Sequence, residues 1–116
     1  MHNLFYQLKF TSNPSGKLFA DVFGDIRLAD FEKFKHGNEI EIHLNKHEMG
    51  VVEVVGYKDF SFVRLTDTMS VMNCGHGSAY QASLLRRFYD NKERKLNDDS
   101  MLMHIVMKWK RRNMRV

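Results

Sequence analysis

Apolar and polar side chains alternate along several stretches of the chain, and a period of two is typical of a half-buried β-strand. The alternation is clearest in Asn38–Leu44, and it recurs in Leu4–Phe10 and Met101–Trp109. Trp109 falls on the apolar face of the last of these strands, so we expect it to be a core residue. Val51–Tyr57 is rich in β-branched residues, which also favour a strand.

Helical signals are fewer than strand signals. The clearest is Ser78, which is followed by Gln81 at the spacing of a capping box. Tyr80, Leu84 and Phe88 then recur four residues apart and form one apolar stripe. The pattern therefore predicts an amphipathic helix that begins at Ser78.

Three further segments are less regular. Leu18–Phe23 is predicted as a short helix or turn that ends at Gly24, and Asp25–Leu28 as a short strand. Asn45–Gly50 is polar and ends in glycine, so it is interpreted as a hairpin loop. So many strands in a short chain favour an α+β fold, a small, partly closed and mostly antiparallel β-barrel with two flanking helical segments.

Length and composition limit the class of protein. The 116 residues suffice for one domain, and 43% apolar residues supply one modest core. No apolar run approaches the roughly 20 residues that a membrane span needs, so we expect no membrane partner. Cys74 is the only cysteine, and the first residues lack the layout of a signal peptide. We therefore expect a cytoplasmic protein without an intrachain disulfide.

Positive charge is concentrated towards the C-terminus. Residues 1–85 hold 8 Lys or Arg and 10 Asp or Glu, whereas residues 86–116 hold 10 and 4. This asymmetry, with a basic tail at about 110–116, favours an anionic partner such as RNA, although basic residues also serve solubility alone. The cations expected to line this face are Arg86, Arg87, Lys108, Lys110, Arg111 and Arg112. Tyr57, Tyr89 and Phe60 are candidates for base stacking, each with core packing as the alternative.

Metal and nucleophile chemistry have weak support in the sequence. His43 and His47 are four residues apart, but they span a strand end and a loop rather than one helix face, so no metal site is expected. Cys74 and His76 are too close in sequence to form a nucleophile–base pair readily, and a local turn is the simpler interpretation. No cofactor is expected.

The order of these elements resembles that of the ASCH domain, a branch of the PUA-like superfamily, over about residues 17–110. The matching segments are Leu18–Asp21, Gly24–Arg27, Phe34–Ile42, Val51–Val55, Leu65–Asp67 and the helix that follows Gly77. The resemblance implies a PUA-like barrel with a cleft beside it that binds RNA. We expect Arg27 and Lys35 to lie in that cleft.

Some ASCH-type relatives are enzymes, namely small amidohydrolases that act on acetylated cytidine and a proposed ribonuclease type. Their stretch Gly-x-Lys-x-x-Thr-x-Arg supplies a lysine and a threonine, and a later glutamate completes the site. Arg27 matches the arginine, but Asp25 replaces the threonine, and no lysine lies between Lys17 and Arg27. The region of the glutamate, residues 72–77, has no carboxylate. The resemblance therefore implies binding more than catalysis.

Three hypotheses remain open at this point. The first is a non-enzymatic RNA-binding domain for single-stranded or structured RNA. The second is a nucleoside or RNA hydrolase, whose candidate groups are Asp25, Arg27, Lys35, Glu53 and His76. The third is an inhibitor or regulator that uses the barrel to bind a protein partner.

Overall fold

The computed structural model describes residues 6–11, 13–67, 69, 77–89 and 96–113. The strands in this part of the chain are β1 (Tyr6–Phe10), β2 (Val22–Leu28), β3 (Glu39–Leu44), β4 (His47–Ser61) and β5 (Met101–Arg112). The helices there are α1 (Ser78–Tyr89) and the 3-10 helices η1 (Pro14–Phe19) and η2 (Phe62–Arg64). The predicted pair Cys74 and His76 lies outside the described residues, as does Leu4 of the first predicted strand.

The strands form one mixed sheet in the order β1-β3-β4-β5-β2. β1 and β3 are parallel, and the other three pairings are antiparallel. The sheet curls, so the edge strands β1 and β2 approach each other. The guanidinium of Arg27 on β2 donates a hydrogen bond to the carbonyl of Lys9 on β1, with Nη2 and O 3.1 Å apart. The expectation of a small α+β fold is confirmed as a curled half-barrel.

Each face of the sheet has its own core, because successive side chains of a strand point to opposite faces. Met103, Ile105 and Met107 of β5 belong to the core on the concave face, together with apolar residues of the other four strands. Leu102 of β5 belongs to a second core on the convex face, where Leu85 of α1 packs against the sheet. Trp109 packs against the concave core, as its position in the pattern predicts.

Several boundaries differ from the predicted ones. The first helix ends at Phe19 rather than Phe23, because residues 22–28 all belong to β2. The hairpin between β3 and β4 needs only Asn45 and Lys46, whose positive φ values of 49° and 72° suit a two-residue turn. β4 is therefore longer than predicted. β5 extends to Arg112, so the first residues of the predicted basic tail belong to a strand.

The predicted helix at Ser78 is present as α1 and has twelve residues. Leu85 is buried and Tyr89 is half-buried, in agreement with an amphipathic helix. The side chains of the predicted stripe at 80, 84 and 88 lie outside the described part. None of the helices in the described ranges is long and apolar enough to cross a membrane.

Candidate functional site

The second half of β2 carries charged side chains into the concave face. Asp25 and Arg27 stand opposite Ile105 and Met103 of β5 in the strand register, and directly opposed residues share a face. Asp25 is only 4% exposed, so its carboxylate sits within a hydrophobic core. A buried carboxylate needs charged or hydrogen-bonding partners to be stable.

Two cations supply the partners of Asp25. The Lys17 ammonium, carried by η1, is 2.7 Å from Oδ1, and the Arg27 guanidinium donates through Nε to Oδ2. Burial acts to raise the pKa of Asp25, but the charges of Arg27 and Lys17 and their hydrogen bonds outweigh burial and lower it. Asp25 is therefore ionised at neutral pH, and both of its oxygens accept hydrogen bonds from cations.

Arg27 connects this ion pair to the edge strand β1 and to α1. Its guanidinium lies 4.7 Å from the centroid of the Phe10 ring, a cation–π distance. Burial acts to lower the pKa of Arg27, but Asp25, and to a smaller extent the hydroxyl of Tyr89, stabilise the charge and raise it. Arg27 thus helps to close the half-barrel and stays charged under all physiological conditions.

A pocket of about 350 Å³ opens beside Arg27, at the end of β2. Its lining is formed by Leu8, Arg27, Leu28, Ala29, Asp30, Lys33, Phe34 and Tyr89. The volume is at the lower end of the roughly 300–1,000 Å³ that is usual for small-ligand sites. The lining combines apolar walls with two cations, one carboxylate and one aromatic hydroxyl.

Lys33 is the second cation of the pocket, and it comes from the loop between β2 and β3. That loop begins with a turn in which the Phe34 amide donates to the Asp30 carbonyl over 3.0 Å. Phe34 is buried in the concave core and anchors the turn. Partial burial and the nearby charge of Arg27 lower the pKa of Lys33, although Asp30 acts to raise it.

The electrostatics of this cluster favour an anionic ligand. Lys17, Arg27 and Lys33 carry three positive charges against the carboxylates of Asp25 and Asp30. Burial and the nearby charge of Arg27 make the charged form of Lys33 less favourable than in water, and the attraction of Asp30 offsets this only in part. A phosphate or carboxylate bound in the pocket would relieve this by pairing with Lys33 and with the exposed side of Arg27. Asp25 is a poor general base, because both of its oxygens already contact cations.

The other residues proposed for the hydrolase hypothesis do not join Asp25. Glu53 lies on the opposite face of the sheet, where Lys110 is 3.7 Å from it. Lys35 is exposed on the β2–β3 loop and does not line the pocket. His76 is outside the described residues.

The basic residues of β5 lie beside acidic residues of other elements. Lys110 is 3.5 Å from Glu39, Arg111 is 3.2 Å from Glu48, and Arg112 is 4.0 Å from Asp21. Lys108 is exposed and stands opposite Glu53 in the register. Carboxylates of other elements thus partly neutralise the excess positive charge of the C-terminal sequence once the sheet has formed. As RNA contacts, these residues remain predictions.

The two helix cations of the predicted basic face lie apart from the pocket. Arg86 is exposed and places its guanidinium 4.9 Å from the centroid of the Phe62 ring. Arg87 is also exposed. Of the predicted stacking residues, Phe60 is buried, Tyr89 lines the pocket, and Tyr57 is exposed. No cluster of three or more metal-ligating side chains occurs within the described ranges.

Sequence reasoning missed Lys17 and Lys33. In the sequence Lys17 is only the last lysine before Arg27, and its contact with Asp25 depends on how η1 packs beside β2. Lys33 has no periodic signal, because it lies in a turn. The one available sign was its position between Phe31 and Phe34, two apolar residues in a polar loop.

The comparisons with known proteins bear on the fold. No family model matches the sequence, and no curated protein matches it. Among solved structures, the chain is similar to the crystal structure of EF3133 from Enterococcus faecalis V583, of the family DUF984. The TM-score is 0.68 at 10% sequence identity, and the similarity covers 94% of this chain and 78% of that chain. At this identity the likeness is one of fold.

Proposed function

We propose that this chain is an RNA-binding domain of the ASCH type, with a PUA-like barrel, and that it takes one nucleotide of the RNA into the pocket beside Arg27. The observation that carries the proposal is that two cations, Arg27 and Lys33, line the same small pocket. Their charges suit a phosphate, and the apolar and aromatic walls suit a sugar or a base.

The contacts of Arg27 and Lys33 indicate different roles for the two side chains in binding a phosphate. Arg27 is fixed by Asp25, by the Lys9 carbonyl and by the Phe10 ring, so its position is set before any ligand arrives. Lys33 approaches the Phe34 ring at 5.5 Å, a weaker contact that leaves its ammonium able to turn towards a phosphate. We therefore assign positioning to Arg27 and adjustable charge to Lys33.

Fluorescence anisotropy with labelled single-stranded RNA, duplex RNA and single-stranded DNA tests the proposal. We expect micromolar or tighter RNA binding that weakens steeply with salt, because phosphate contacts release counterions. Lys33→Gln should weaken binding, whereas Lys46→Gln should leave it unchanged. Lys46 is an exposed cation of the β3–β4 hairpin and does not line the pocket. Absence of binding to all three probes at low salt would refute the proposal.

A hydrolase acting on nucleosides or RNA is the second candidate. It is favoured by Lys17, because η1 supplies an ammonium to Asp25, which also pairs with Arg27, where the motif itself has no lysine. Both carboxylate oxygens of Asp25 already accept hydrogen bonds from cations, which disfavours Asp25 as a catalytic base and favours a binding function over hydrolysis. Gel analysis of the bound RNA decides between them, since intact RNA after long incubation supports a binding module and shortened products support a nuclease.

A protein partner is the third candidate, and it predicts a different outcome. If another protein copurifies with this chain, and the association persists after nuclease treatment and in high salt, a protein partner would be favoured over RNA. The ion pairs of Lys110, Arg111 and Arg112 with neighbouring acids leave less free charge on β5 for an acidic partner than the sequence alone indicates.

A further inference from the structure

Two aromatic side chains lie exposed on the concave face beside the pocket. Phe31 is 51% exposed and Tyr57 is 42% exposed, and their ring centroids are 5.8 Å apart in an edge-to-face arrangement. An edge-to-face pair uses the edge of one ring and one face of the other, so ring surface stays open to solvent. Surfaces that bind single-stranded nucleic acids combine such aromatic rings, on which bases stack, with positive charge that contacts the backbone.

The strand register places Tyr57 close to the ion-pair cluster. Tyr57 of β4 stands opposite Ile105 of β5, and Ile105 stands opposite Asp25 of β2. The three residues therefore form one row across the concave face. With adjacent strands about 4.8 Å apart, the backbones of Tyr57 and Asp25 are separated by about 10 Å. The part of β4 that carries Tyr57 extends past the end of its pairing with β3, at Glu53, which leaves the ring uncovered on that side.

Phe31 belongs to the same turn of chain as two residues that line the pocket. It directly follows Asp30 and lies two residues before Lys33, within the turn closed by the Phe34 amide and the Asp30 carbonyl. Asp30 and Lys33 line the pocket, and the Phe31 ring contacts Tyr57. One turn of chain therefore presents a cation to the pocket and an aromatic ring to the surface beside it.

We infer that Phe31 and Tyr57 form a stacking platform for an unpaired base of a nucleic-acid strand whose phosphate is bound by Arg27 and Lys33. This inference rests on the proposed function and restricts the class of its ligand. The ligand is a single-stranded segment, because bases in a duplex already stack on one another and present only their edges. Every base has a face that can stack on an aromatic ring, so we expect only a weak preference among the four bases.

The platform is tested with four labelled probes of equal length: oligouridine, oligoadenosine, an abasic ribose-phosphate strand and an RNA duplex. The wild type should bind both base-carrying strands more tightly than the abasic strand or the duplex. Phe31→Leu and Tyr57→Leu should each weaken binding to the base-carrying strands by roughly 5- to 150-fold and leave the abasic strand unaffected. Tyr57→Phe keeps the ring and should retain binding.

Phe19→Leu is the matched control. Phe19 is 73% exposed on η1 and does not line the pocket. The Phe19→Leu variant should therefore bind all probes as the wild type does. Circular dichroism and urea midpoints establish that each variant is folded. Single-stranded DNA, added as a fifth probe, shows whether the sugar matters, since stacking alone treats both strands alike.

Three results would overturn the platform, and they differ from one another. If the wild type binds the abasic strand as tightly as the others and Lys33→Gln weakens all of them, the pocket binds phosphate and the platform is wrong. If no strand binds at low salt, the proposed function fails and the platform fails with it. Unchanged binding of oligouridine by both leucine variants would also refute the platform.

Discussion

Replacing Asp25 with asparagine tests the account of the buried ion pairs. The substitution keeps the shape of the side chain and removes the carboxylate that both Lys17 and Arg27 contact. The side chain of Lys17 is only 8% exposed, so water cannot readily replace the lost charge. Removing one partner of a buried ion pair typically costs about 3–5 kcal/mol. With a urea dependence of about 1.5 kcal/mol per molar, the midpoint at pH 7 should fall by roughly 2–3 M.

Acid stability provides a second measurement on the same variant. The pKa of Asp25 is lowered in the folded protein by its two cations, against the opposing effect of burial, from an ordinary value of 3.8. As pH falls, the unfolded chain takes up this proton before the folded one does. The stabilisation is therefore complete well above pH 3.8 and is lost as pH falls from there towards the folded pKa. Asp25→Asn should lack this component of acid unfolding.

Asp21→Asn is the matched control for Asp25→Asn. Asp21 is fully exposed and its contact with Arg112 spans 4.0 Å, so its replacement should leave the urea midpoint of unfolding unchanged. A loss below about 1 kcal/mol for Asp25→Asn at pH 7 would refute the reasoning. So would an acid unfolding curve that matches the wild type.

Four further substitutions test other parts of the structure by urea unfolding. Gly50→Ala should cost about 3 kcal/mol or more, because φ is +132° and the new Cβ would lie 2.1 Å from the Arg111 carbonyl, whereas Gly37→Ala meets no atom within 4 Å and should cost about 1 kcal/mol. An equal cost for the two would contradict this. Lys33→Gln should be at least as stable as the wild type, because burial already lowers the pKa of this lysine, and a loss above about 1 kcal/mol would indicate a structural role. Lys110→Gln should cost less than about 1 kcal/mol, because its two ion pairs are largely exposed, and a larger cost would show that they stabilise the sheet.

The alternation of apolar residues predicted the strands whose inward positions are all apolar. β3 and the first part of β5 were found on the correct face for this reason. β2 was only partly recognised, because Asp25 and Arg27 occupy inward positions where an apolar residue is expected. Local patterns break where charged residues are placed in a core, and that break is itself a sign of the site.

The charge distribution shows what the sequence could not reveal. Lys110 and Arg111 are far along the chain from Glu39 and Glu48, and only the strand register brings them together. The basic C-terminal third is consequently less exposed as positive charge than a count along the chain indicates. Lys17 was hidden in the same way, because the packing of η1 against β2 decides its contact.

The proposed function requires that Lys33 contact a phosphate of bound RNA, and this contact is measured by the salt dependence of binding. The measurement is the slope of log binding constant against log salt for single-stranded RNA, compared among the wild type, Lys33→Gln and Lys46→Gln. The account predicts a slope shallower by about 0.7 in Lys33→Gln, which corresponds to one lost phosphate contact, and an unchanged slope in Lys46→Gln. Equal slopes for all three proteins would contradict it.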